Sequence, residues 1–338
     1  MNELKIAKWW ERTENNKILC TLCPRYCRIG EGQNGFCYIR KNVKGTLYSL
    51  GYGKPIGFGL DPIEKKPLNH FLPGTSILSF GTAGCNLGCK FCQNWHMSKA
   101  KSDDIHSKEA SPEIVVQLAK KYKAPSIAYT YNDPTIFGEY VMDVSKLAHE
   151  NGIKNVMVTA GYIDKEARKE IYRHIDAANV DLKAFTEDFY YRLTSSHLED
   201  ILYTLLWLKN ETNVWLELTT LLIPGQNDNQ DDLKRMCNWI VHTLGDSVPL
   251  HFTAFHPDFK MQDIPATPIK TIVMARNIAI EAGLKYCYVG NVHMDEAQTT
   301  YCPNCRTPII ARDWHSIKTN VLSNGHCPKC GEIIEGIF

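Results

Sequence analysis

The sequence predicts an α/β fold built on a parallel sheet, with a cysteine-rich segment at each end. Three observations point there. Short apolar runs alternate with helical periodicity between residues 76 and 290. Residues 1–60 are rich in Cys and Gly and show little periodicity. Residues 301–338 are bracketed by two Cys pairs. The expected division is an N-terminal four-cysteine segment (1–70), a β/α body (71–300) and a C-terminal four-cysteine module (301–338).

Within the body, SILSF (76–80) reads as the first strand. A helix is expected over 112–123, with Ser111 as N-cap and Pro112 at the first helical position. Strand 126–131 follows, then a helix over 134–152 that stops at Gly152. Strands 155–160, 178–185, 214–223, 249–255 and 285–290 are separated by helices over 164–174, 198–210, 230–244 and 269–283. Repeated β–α units require parallel pairing, because each crossover returns the chain to the same end of the sheet. Periodicity leaves open a partial barrel, a full barrel or a doubly wound sheet. In each of these, functional residues belong after the C-terminal ends of the strands.

Composition narrows the class. At ~150 residues per domain, 338 residues make roughly two domains. Hydrophobic residues are 44%, enough to fill a core, and 38 Lys and Arg against 37 Asp and Glu leave no global field to draw nucleic acid. The N-terminus lacks the apolar run of a secretory signal, and no stretch has the ~18 apolar residues of a membrane span. A cytoplasmic protein is expected, with no membrane partner and no nucleic acid.

Eleven of the 13 cysteines fall into three groups: Cys20, Cys23, Cys27 and Cys37; Cys85, Cys89 and Cys92; Cys302, Cys305, Cys327 and Cys330. In a long chain without a secretory signal, such clusters point to metals rather than disulfides. Cys237 and Cys287 read as core residues. The middle group lies in GTAGCNLGCKFCQNWH (81–96), directly after the first strand, with spacing C-x3-C-x2-C. Gly81, Gly84 and Gly88 let that loop wrap tightly, since glycine accepts positive φ. Three thiolates can hold three irons of a [4Fe–4S] cluster and leave the fourth open. The competing reading is zinc, with His96 as fourth ligand at Cys92-x3-His96.

This motif, with Phe91 before its last Cys, resembles the radical S-adenosylmethionine (SAM) signature. TYNDPTIFGEY (130–140), VTAGYI (158–163), VDLKAF (180–185), LLIPGQNDN (221–229), FHPD (255–258) and YVGN (288–291) resemble the pyruvate formate-lyase-activating-enzyme-like branch. With CTLCPRYCRIGEGQNGFCYIR near the start and the four-cysteine tail, the chain is most similar to the AmmeMemoRadiSam-system proteins. The resemblance implies a partial (β/α)6-type barrel and a [4Fe–4S] cluster that binds SAM. It also implies reductive cleavage of SAM to methionine and a hydrogen-abstracting 5′-deoxyadenosyl radical. The reductant would be a flavodoxin- or ferredoxin-like electron donor, and AmmeMemo-system proteins would be possible partners.

By the same resemblance, Asn132 and Asp133 stand where relatives place a turn contacting the SAM amino group, although this chain lacks that turn's two glycines. Thr159 and Gly161 sit where relatives contact the methionyl or ribose end. Asp181 and Lys183 match an Asp-x-Lys element that recognises the SAM carboxylate. His256, at a strand end, is a further cofactor-binding candidate.

Cys302-x2-Cys305-x21-Cys327-x2-Cys330 resembles a zinc ribbon, although a rubredoxin-like iron site has similar spacing. The four N-terminal cysteines match neither ferredoxin spacing nor a paired ribbon, and are expected to hold zinc or a second iron–sulfur cluster. The function expected is a radical SAM enzyme acting on an unidentified protein, peptide or small molecule. Two alternatives are a glycyl radical enzyme activase and a non-catalytic, zinc-scaffolded RNA- or protein-binding protein.

Overall fold

The computed structural model describes residues 4–101 and 109–338. Residues 4–50 supply six short strands: β1 (Lys5–Ile6), β2 (Trp10–Arg12), β3 (Ile18–Cys20), β4 (Arg28–Ile29), β5 (Arg40–Val43) and β6 (Thr46–Ser49). They pair antiparallel into two three-stranded sheets, β1–β6–β5 and β2–β3–β4.

The central sheet has eight strands: β7 (Ile56–Pro62), β8 (Ser76–Gly81), β9 (Ser126–Tyr129), β10 (Lys154–Thr159), β11 (Ala177–Asp181), β12 (Trp215–Leu222), β13 (Leu250–Ala254) and β14 (Cys287–Gly290). Their order is simply β14 back to β7. Strands β8 to β14 are the seven expected from the apolar runs, and all pair parallel. The order never reverses, which is the winding of a barrel wall and not of a doubly wound sheet. Strand β7 adds an antiparallel edge on β8 that periodicity did not reveal. Its sequence, IGFGLDP, alternates Ile56, Phe58 and Leu60 with Gly57, Gly59 and Asp61, but its two glycines and its proline weaken the reading as a strand.

The helices follow the expected spans closely. The stretch expected as one helix over 134–152 begins as a 3-10 turn, Pro134–Phe137, and continues as an α-helix over Gly138–Glu150. That helix buries Tyr140, Val141, Val144 and Ala148, one stripe at helical spacing. Fully burying a Val contributes roughly 1.5–3 kcal/mol. Asp133 caps the turn by accepting from the Thr135 N–H.

Which end of the sheet is open follows from a second, smaller core. Ile77, Val156 and Ala177 project from the N-terminal halves of β8, β10 and β11, with Ala128 of β9 beside Val156. Ile63, Leu68 and Phe71 pack against them, so residues 63–71 plug that end. The C-terminal strand ends are left for a site.

Two anchors hold the ends of the chain to this body. Arg40 on β5 is buried and bonds both oxygens of Glu139, at 2.6 and 2.7 Å, and the Lys8 carbonyl at 3.0 Å. At the other end, β15 (Thr300–Tyr301), β16 (Pro308–Asp313) and β17 (Ser316–Asn320) form an antiparallel sheet. Buried Arg312 on β16 donates to Thr300 Oγ1 at 2.8 Å and to the Asn69 carbonyl at 2.8 Å. Ile309, Ile310 and Ile334 pack on Tyr286 and Tyr288, which flank and begin β14. Among the described residues, no helix is long and apolar enough to cross a membrane.

Candidate functional site

A cavity of about 570 Å³ opens at the C-terminal ends of the parallel strands. The loop after β8 brings Cys85, Cys89 and Cys92 to its wall. Glycine permits that loop in two different ways. Gly84 has φ +82°, and a Cβ there would stand 2.0 Å from the Cys37 carbonyl oxygen. Gly81 does not need positive φ; its Cβ would meet the Thr130 carbonyl at 2.5 Å. Close approach, more than left-handed backbone, is what the glycines supply.

Asn132 staples this loop. Its Oδ1 accepts from the Thr82 N–H at 3.1 Å, and its Nδ2 donates to the Gly84 carbonyl at 2.7 Å. Asp133 is equally committed. It accepts from Thr135 N, from Thr159 Oγ1 at 3.0 Å and from Ala160 N at 2.8 Å. Burial pushes its carboxyl up, against those hydrogen bonds. Thr159 in turn accepts from the Gly161 N–H, which fixes a turn where Gly161 has φ +70°. Asn132, Asp133 and Thr159 line the cavity, and Gly161 does not.

Lys183 and Asp181 form a pair at 2.6 Å on the same wall. Burial works against the lysine's charge, but Asp181 and the Cys89 sulfur hold its pKa above the ordinary value. The thiols respond conversely. Burial pushes Cys85 up to about 12 and Cys89 to about 11, with Lys183 and Lys99 pulling Cys89 back. These are half-buried sulfurs, with cations beside Cys89, a donor set suited to becoming metal-bound thiolate. The Leu87 N–H, 3.5 Å from Cys85 Sγ, adds a backbone donor.

Two expected residues lie elsewhere. The side chain of His256 is 76% exposed, 3.5 Å from Asp258, and does not line the cavity. Phe255 takes the buried position at that strand end. His96 is exposed and stacks on Trp95 at 4.3 Å, away from a zinc site with Cys92.

The structure also adds residues the sequence reading did not single out. Glu217 on β12 is fully buried and accepts from His251 Nε2 at 2.7 Å, Asn69 N at 3.0 Å, His70 N at 2.8 Å and Trp215 Nε1 at 3.0 Å. Burial alone would raise its pKa; the hydrogen bond from His251, its charge and these donors leave it lowered. A carboxylate only accepts, so His251 Nε2 carries the proton and Nδ1 is the nitrogen left for the cavity that His251 lines. The period-two pattern of Glu217 and Thr219 on β12 and of His251 and Thr253 on β13 was the available signal. Arg312, Trp314 and His315 complete the wall from the C-terminal module, and Lys66 and Asn69 from the plug segment.

The four C-terminal cysteines form a different kind of site. Their sulfurs all lie within 4.8 Å of one another, with Cys302–Cys330 at 3.5 Å and Cys305–Cys327 at 3.6 Å. A four-thiolate ion with bonds of about 2.3 Å sets its sulfurs roughly 3.8 Å apart. This group therefore fits one tetrahedral metal ion, zinc or iron.

A winding parallel sheet with a C-x3-C-x2-C loop at its C-terminal mouth defines a class, and comparison agrees: residues 80–240 match the radical SAM superfamily and form a radical SAM domain. An uncharacterized protein of Methanocaldococcus jannaschii is 45% identical over 334 residues, covering 98% of this chain and 99% of that one. The pyruvate formate-lyase-activating enzyme of Clostridium pasteurianum is 24% identical over 217 residues, 57% of this chain and 85% of that protein. The radical SAM methyltransferase structure from Sphaerobacter thermophilus shares the fold, at TM-score 0.51 and 15% identity over 65% of this chain and 67% of that one. The radical SAM domain and these relatives make the protein an enzyme, and the domain's family implies a [4Fe–4S] cluster and SAM.

Proposed function

We propose that the chain reductively cleaves SAM on a [4Fe–4S] cluster held by Cys85, Cys89 and Cys92, within a partial (β/α)6 barrel. One observation carries this: the three cysteines and the Lys183–Asp181 pair line the same cavity. Bound there, the cluster and SAM would supply a 5′-deoxyadenosyl radical that abstracts hydrogen from substrate. Lys183 offers the cation for the SAM carboxylate, with Asp181 holding it in place. Asn132, Asp133 and Thr159 keep the loop and the facing turn rigid, which fixes the cysteines relative to Lys183. A flavodoxin- or ferredoxin-like protein would supply the electron.

The long resemblance in sequence, including both end groups of cysteines, supports placement among the AmmeMemoRadiSam-system proteins. It also supports a zinc-ribbon-like reading of residues 301–338. The division at 70 and 300 is retained for the three parts. The activating-enzyme relatives keep a glycyl radical activase in view. Arg312, Trp314 and His315 favour another substrate class, because the C-terminal module supplies part of the cavity wall. That arrangement suits a small molecule or short peptide presented to His251. The test is anaerobic reconstitution with iron and sulfide, then dithionite and SAM, with assay of 5′-deoxyadenosine. Formation that depends on the three cysteines supports the proposal; a reconstituted protein that forms none contradicts it.

A further inference from the structure

We infer that Cys20, Cys23, Cys27 and Cys37 hold a second iron–sulfur cluster, not a zinc ion. None of the four is in a disulfide; Cys20, Cys23 and Cys37 are buried and Cys27 is half-buried. They lie within electrostatic reach of one another, since Cys23 feels Cys20, Cys37 and Cys27. Yet among the described residues no three of their sulfurs come within 4.8 Å of one another, whereas all four C-terminal sulfurs do. A single tetrahedral ion gathers its thiolates about one point. A [4Fe–4S] cluster takes each thiolate on a different iron. The sulfurs of Cys85, Cys89 and Cys92 likewise do not all lie within 4.8 Å of one another.

Local bonding agrees. Backbone N–H groups of Leu22, Arg25 and Ile39 favour negative sulfur at Cys20, Cys23 and Cys37, at the same two-residue offset as the Leu87 donor to Cys85. Such donors stabilise negative sulfur and tune clusters. Arg40 lies beside Cys20 and Cys37, and its buried Nε–H has no partner. An anionic cluster, with sulfides as well as thiolates, supplies both an acceptor and a counter-charge. The site also abuts the radical-cluster loop. The Cys37 carbonyl presses on Gly84, and Arg25 donates to the Asn86 carbonyl.

The inference rests on the proposed function only in using the central trio for comparison, and one set of samples separates the two. The full chain is reconstituted anaerobically with iron-57 and sulfide. Iron, acid-labile sulfide and zinc are then counted, with Mössbauer spectra. Two clusters predict about eight irons per chain and about one metal in the C-terminal site. The variant with Cys85, Cys89 and Cys92 all changed to Ala should keep about four irons as a cluster, roughly half the wild-type iron. Cys27→Ala, at the least buried position, should lose iron while keeping a cluster whose paramagnetic signal responds to SAM. About four irons and two zincs in wild type would overturn the inference and leave the proposed function standing. A wild-type chain with no SAM-responsive cluster would instead overturn the function.

Discussion

The two four-cysteine groups at the ends of the chain are built and attached differently. The C-terminal sulfurs close on a point, and their module meets the body through neutral polar contacts as well as two ion pairs, buried Arg312–Glu64 at 3.7 Å and Lys285–Glu335 at 3.2 Å. There Thr300 and Tyr288 share a hydrogen bond at 2.8 Å, and His70 joins Tyr288 to the Glu335 carbonyl at 2.6 Å on each side. The N-terminal sulfurs are spread, and their segment is fastened by the buried Arg40–Glu139 ion pair beside the cysteine loop of the cavity. One end thus carries a closed structural site that lends wall residues to the cavity. The other is bolted onto the chemistry. The difference teaches that cysteine count alone does not specify a metal; the spacing of the sulfurs and what they pack against do.

The largest effect should come from the cavity itself. Replacing Cys85, Cys89 and Cys92 together by Ala should reduce 5′-deoxyadenosine formation to background. Cys302→Ser should cost the C-terminal metal and expose residues 301–338 to protease, yet retain SAM cleavage measured without substrate. Loss of cleavage in that variant would erase the contrast between closed site and reactive site.

The two attachments can be broken one at a time. Glu139→Gln leaves Arg40 charged and poorly compensated in the interior, an expected loss of about 3–5 kcal/mol in denaturant unfolding. A loss below about 1 kcal/mol would mean that the pair is not the bolt. The His70 contact should instead respond to acid. Burial holds its pKa down from 6.5 to about 4, against the nearby Glu217. Between those values the unfolded chain binds the proton and the folded chain does not. Stability from this group is therefore complete above about 6.5 and falls as pH drops to about 4, by roughly 3 kcal/mol if nothing else titrates. His70→Gln should flatten that slope in urea unfolding measured across the window. The smallest effect is Lys183→Ala. Loss of a charge-assisted contact of ~1.5–3 kcal/mol should weaken SAM binding roughly 10- to 150-fold, with cluster iron unchanged. Unchanged affinity would remove Lys183 from the cofactor site.

Much of this arrangement was legible in the sequence. Apolar runs with intervening helical periodicity located every parallel strand, because strands buried on both faces carry little else. Cysteine spacing located the cavity loop, since its ligands are local. What escaped depends on tertiary contact. Strand β7 pairs through backbone despite Gly57, Gly59 and Pro62, which masked the alternation of Ile56, Phe58 and Leu60. Arg312 reaches the cavity from more than two hundred residues beyond the cysteine loop, and only packing brings it there. His256 was expected inward from its place at a strand end, but Phe255 holds the inward position. Glu217 was the missed signal: a charged residue amid WLELTTLLI, in a strand that must be buried, announces a partner.

The paramagnetic spectrum of the dithionite-reduced, reconstituted protein, taken before and after SAM is added, tests most directly whether the cavity cysteines hold the reactive cluster. The expected result is a [4Fe–4S] signal that SAM shifts in wild type and in Cys302→Ser, and a SAM response that vanishes when Cys85, Cys89 and Cys92 are replaced. A SAM-responsive signal that survives the triple replacement would contradict it.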